Sequence, residues 1–114
     1  MKYSPLISIN LSVNNTQISY TFAAYQRSIE LEPGNLIGWH YLGLLYQRIG
    51  ELENAENAFR NVLILSGSDK KIQALAYYNL GIVYKTRGKL DKSIEYYEKS
   101  LELGCESEFK ESMA

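Results

Sequence analysis

Apolar side chains recur along most of this chain at helical spacing. Trp39, Leu42, Tyr46 and Ile49 fall at offsets of 3, 7 and 10, which puts them on one face of a helix. Ala55, Phe59, Val62 and Leu63 do the same at offsets of 4, 7 and 8. Gly50 and Gly88 stand where a left-handed residue ends a helix, and Asp91 is placed to cap the next one. The pattern predicts helices near residues 16–31, 35–49, 53–65, 70–87 and 91–103.

The two ends are less regular. Ile7, Ile9, Leu11 and Val13 alternate with Ser8, Asn10, Ser12 and Asn14, a period of two that signals a half-buried strand. Against this, Ser4-Pro5 is a good helix entrance, and Leu6, Ile9 and Val13 keep helical spacing. Residues 1–15 therefore read as a divergent segment, either a β-strand or a degenerate first helix. A lone strand would need a second molecule to pair with. Residues 105–114 are too short for a further hairpin and are expected to form a cap over the last helix or to fray.

The chain also repeats itself. Trp39, Leu42, Gly43 and Tyr46 recur 38 positions on as Tyr77, Leu80, Gly81 and Tyr84. Gly50, Leu52, Ala55, Phe59 and Leu63 are answered in step by Gly88, Leu90, Ser93, Tyr97 and Leu101. A partial copy lies upstream, with Thr21, Tyr25, Ile29 and Leu31 sitting 34 positions before Ala55, Phe59, Leu63 and Leu65. Gly43, Gly81 and Ala55 would let paired helices approach closely, while Tyr46, Phe59, Tyr84 and Tyr97 would fill the space between hairpins.

These residues resemble the tetratricopeptide repeat, a helix-turn-helix unit of about 34 residues marked by Trp-x2-Leu-Gly-x2-Tyr, Ala-x3-Phe and a closing proline. Trp39 to Tyr46 and Ala55 to Phe59 carry the two main motifs, and Pro33 closes the upstream half-copy. Gly67 and Cys105 stand where the family has its proline, and four extra residues separate the two full copies, so a longer turn or an added helical turn is expected over Ser66 to Lys71. The resemblance implies an all-α fold of antiparallel hairpins stacked as a short right-handed superhelix, an α-solenoid. It divides residues 16–104 into a half repeat at 16–35 and repeats at 36–69 and 70–104.

It also implies a function. In this family the first helix of each hairpin lines a concave groove that touches an extended peptide or a partner helix. Carried over, the groove positions are Ile37, His40, Leu44, Gln47 and Arg48 in one copy and Leu75, Tyr78, Asn79, Ile82, Lys85 and Thr86 in the next. One subtype grips a carboxylate with lysines and asparagines. Here only Asn79 is kept, with His40 and Leu44 in the places of a lysine and an asparagine, so that clamp is not expected. The expected partner is a protein or peptide held by apolar and aromatic anchors. Because fewer than three repeats bury their faces poorly, a homo-oligomer is also expected, its groove or amino-terminal segment filled by its own copy.

Composition narrows the chemistry. In a chain of 114 residues, twelve basic and thirteen acidic side chains leave a net charge of -1, without the positive field a nucleic acid needs. No apolar run approaches the roughly 20 residues of a membrane span. Met1 to Ile7 begins like a secretion signal, but Ser8, Asn10 and Ser12 break it, and with a single cysteine the expected residence is cytoplasmic. His40 is the sole histidine and Cys105 the sole cysteine, too few for a metal site, and a nucleophile-base pair would have to join them across two helices. No enzyme activity, cofactor or metal is expected.

Overall fold

The computed structural model describes residues 9–113, with side chains at 17 and 19–104. Five helices follow one another: α1 (Ile9–Leu31), α2 (Leu36–Arg48), α3 (Leu52–Leu65), α4 (Lys70–Thr86) and α5 (Leu90–Met113). There is no strand among the described residues. Each helix packs chiefly on its neighbours in the chain. The result is a stack of hairpins, with α2 on α3 and α4 on α5, and α1 lying against α2.

The helix ends have local causes. Asn35 caps α2 by accepting from Gly38 N–H at 3.0 Å, and Asp69 caps α4 by accepting from the N–H groups of Lys71 and Ile72. At the close of α2, Glu51 N–H reaches Tyr46 O and Gly50 N–H reaches Gln47 O, with Gly50 at φ 84°. Lys89 and Gly88 repeat this after α4, at φ 81°. Both are closures that only a residue at ease in the left-handed region makes without strain.

Inside each hairpin a ring takes the place of a side chain. Phe59 of α3 lies over Gly43 of α2, and Tyr97 of α5 lies over Gly81 of α4, so that a Cβ at either glycine would come within about 2.6 Å of the ring. Phe59 is fully buried with Ala55, Leu80, Val83 and Tyr84 in the core that joins the hairpins. Ser93 stands where the first copy has Ala55, and its buried hydroxyl donates to Gly81 O at 2.8 Å. Ser100 donates likewise to Ala74 O.

Several expectations change. The strand over the amino-terminal segment does not form at residues 9–14, which belong to α1, and the helix runs unbroken through Asn14-Asn15. Residues 6–8 lie outside the described set. Ile9, Leu11 and Val13 are part of a 23-residue helix despite their weak strand preference. At the other end α5 continues without a break to Met113 instead of fraying or turning back as a cap. Asp91 lies within the first turn of α5, because that helix starts one residue earlier, at Leu90. Phe59 fills space within its hairpin, over Gly43, as well as between hairpins, and Tyr97 fills space within its own hairpin, over Gly81 and beside Tyr78. Ile49, placed by spacing on the inner face, caps α2 and is largely exposed. The longer turn does not form over Ser66 to Lys71: the loop at 66–69 is no longer than that at 32–35, and the extra residues add a turn to the start of α4, which has 17 residues against 13 in α2.

Candidate partner-binding face

Ile37, Leu44 and Arg48 on α2 recur at helical spacing, as do Leu75 and Ile82 on α4, and the two sets are 38 positions apart. The structure exposes Ile37 (63%), Leu75 (45%) and Tyr78 (50%) together with Arg48 and Lys85. His40, Leu44, Gln47 and Ile82 are half-buried, and Leu44 packs on the edge of the core. Asn79 is 5% exposed and sits in the interior, not on the open face. Thr86 is exposed, its hydroxyl donating back to Ile82 O.

Tyr41, to which sequence reasoning gave no role, joins this face. It is partly exposed, one turn from Ile37, and stacks on Tyr25 of α1 at 5.2 Å. The signal was its spacing of four from Ile37. Tyr78 is steadied by Tyr97 at 5.6 Å. Its repeat equivalent, His40, lies 6.2 Å from Phe59, so each hairpin sets a ring beside the one that covers its glycine. Burial lowers the pKa of His40, because it disfavours the charged imidazole, and its Nδ1 has no hydrogen-bond partner among the described residues.

Neither α2 nor α4 contains an aspartate or glutamate. Arg48 and Lys85 stand in the last turns of these helices, where they also complement the helix dipoles. The face is therefore apolar and aromatic with a cationic edge.

The described titratable groups gather most closely elsewhere. Glu56 accepts from Tyr84 Oη at 2.7 Å, from Arg60 at 3.1 Å and from Arg87, and Arg60 also donates to the hydroxyls of Tyr84 and Tyr96. Burial alone would raise the Glu56 pKa, but the bond from Tyr84 and the charges of Arg60 and Arg87 outweigh it and hold the carboxyl below its ordinary value. Burial and the bond to Glu56 push the Tyr84 phenol up to about 12. Every member is engaged with another, so the cluster ties α3, α4 and α5 together. Sequence reasoning missed it; the four-residue spacing of Glu56 and Arg60 was its visible trace.

Among the described residues, no three of His, Cys, Asp and Glu gather as a metal site. None of the described helices is long and apolar enough to cross a membrane. The Cys105 side chain, the only candidate partner for His40 in a catalytic pair, lies outside the described set.

The family model of the tetratricopeptide repeat matches residues 36–106. Among curated proteins, the chain is 34% identical over 68 residues to BBSome complex member BBS4 of Bos taurus, which covers 60% of this chain and 12% of that protein. Two crystal structures of MamA align with TM-scores of 0.68 and 0.69 at 27% and 26% identity, over 75% and 88% of this chain and 45% and 56% of theirs. The N-terminal domain of stress-induced protein-1 (STI-1) from C. elegans aligns at a TM-score of 0.70 and 16% identity, over 82% of this chain and 76% of that one, and speaks to fold alone. The chain thus spans about an eighth of BBS4 and about half of MamA.

Proposed function

The chain belongs to the tetratricopeptide repeat family, and from that premise we propose that it is a scaffold holding an extended peptide or amphipathic helix of another protein against its concave face, formed by α2 and α4. The observation that carries this reading is the repeated exposure of Ile37 and Leu75 at equivalent positions, with Tyr78 and Tyr41 beside them. Large apolar side chains left exposed at equivalent repeat positions cost free energy in water, a cost that a covering segment relieves. Ile37, Leu75, Tyr78 and Tyr41 are the anchors, with His40, Leu44, Gln47 and Ile82 as the floor and Arg48 and Lys85 as the rim.

The scaffold reading is of a binding module without catalysis, acting through protein partners and not nucleic acid or lipid. A relative described as a member of a complex accords with this. Residence in the cytoplasm accords with the single cysteine.

The test is a peptide selected from a random library against the whole chain, its affinity then followed by fluorescence anisotropy. Ile37→Glu combined with Tyr78→Ala should weaken that affinity at least ~10-fold, as loss of central anchors does, with helical circular dichroism unchanged. Binding that persists in the double variant would reject this face.

A further inference from the structure

A second uncovered apolar surface lies on α5. Leu90 and Leu101 are the repeat equivalents of Leu52 and Leu63, which pack under the core beside α4. In α5 no described residue covers them: Leu90, Ile94 and Leu101 are largely exposed. Beside this stripe Asp91, Glu95, Glu98 and Glu102 recur at helical spacing and are exposed, without an ion pair among the described residues. The lysines of the same stretch are exposed as well, but they lean over rings of α4, Lys92 over Tyr84 at 5.2 Å and Lys99 over Tyr77 at 5.6 Å. The stripe of α5 is therefore apolar with a border in which carboxylates outnumber ammonium groups.

The face of α2 and α4 is apolar and cationic. We propose that the two fit one another between copies of this chain: the outer stripe of α5 docks, as a helix in a groove, on the α2–α4 face of a second molecule. The choice of occupant rests on charge. Two α5 surfaces brought together would set carboxylates against carboxylates, whereas α5 on the α2–α4 face sets them against Arg48 and Lys85 and covers both apolar patches at once. The contact joins two different surfaces, so it is head-to-tail and closes into a ring or extends. It rests on the reading of α2 and α4 as a docking face and names what fills that face.

The test is sedimentation of the full chain across a salt series. From about 0.01 M to about 1 M salt the screening length falls from ~30 Å to ~3 Å, and the chain should pass from an associated to a monomeric state. Glu95→Lys with Glu98→Lys should weaken association at least tenfold, and so should Arg48→Glu with Lys85→Glu. Mixing the two reversed chains should restore it, because each then meets opposite charge on the other. A monomer at low salt, association indifferent to both reversals, or no recovery on mixing would overturn the proposal. If the wild-type chain stays monomeric while Tyr78→Ala still loses the selected peptide, self-docking alone falls and the occupant is a foreign segment.

Discussion

Phe59 lies over Gly43 so closely that a Cβ at position 43 would come 2.5 Å from the ring. Phe59 is fully buried and has nowhere to retreat. Alanine would gain up to ~1 kcal/mol of helix propensity, but forcing a methyl into a filled core costs about 1–3 kcal/mol, so Gly43→Ala should be destabilising on balance. Gly43→Ala with Phe59→Leu should be less destabilised than the sum of the single changes. Denaturant titration of the four chains reads this coupling directly.

At Gly50 and Gly34 the reasons differ. Gly50 has open space around it but a φ of 84°, so Gly50→Ala should cost about 1 kcal/mol through backbone strain. Gly34 has open space and no such constraint, and Gly34→Ala should be neutral or gain up to ~1 kcal/mol. Thermal midpoints that failed to separate these two alanines would refute the assignment.

Phe59→Ala should be the most damaging single truncation in the molecule, at about 3–5 kcal/mol. Much of that is the void left between α2 and α3, so loss of cooperative melting is the expected readout.

His40 gives a pH signature. Its folded pKa lies below the ordinary 6.5 because burial disfavours the charge. Below 6.5 the unfolded chain therefore binds protons that the folded chain does not, and stability falls as pH drops until the lowered folded pKa is reached. His40→Phe should flatten this slope and keep the ring contact with Tyr41 and Phe59. An unchanged slope in urea midpoints would show that another group is responsible.

Glu56 acts lower on the scale. Its folded pKa is depressed from 4.5, so its stabilising contribution is present above that value and disappears as pH falls through the folded pKa. Glu56→Gln should lose stability at neutral pH and show a shallower acid transition. Equal acid sensitivity in both chains would exclude this role.

The helices and the repeat were legible because packing rings, glycines and leucines recur every 38 residues, and periodicity reports directly on which side faces inward. What escaped was of two kinds. Asn35 and Asp69 as caps, and Asp91 as a residue within its helix, depend on helix starts that spacing fixes only within a few residues. The Glu56–Tyr84–Arg87 ties join residues far apart in sequence, and no periodicity displays such pairs. On the candidate face, the family resemblance pointed to Ile37, Leu75 and Tyr78, which are exposed. It also put Asn79 there, which lies inside, because interior and open positions adjoin on a helix with only about 3.6 residues to the turn.

Because each rod leans mainly on the one made just before or after it, this chain never has to bring remote stretches together to begin folding. Architectures of that kind reach their final form in microseconds to milliseconds. They also come apart piecemeal, so amide exchange should run fastest in α1, whose contact with its neighbour is the weakest of the successive helix pairs, and slowest around Leu80 and Val83, at the joint between the two hairpins.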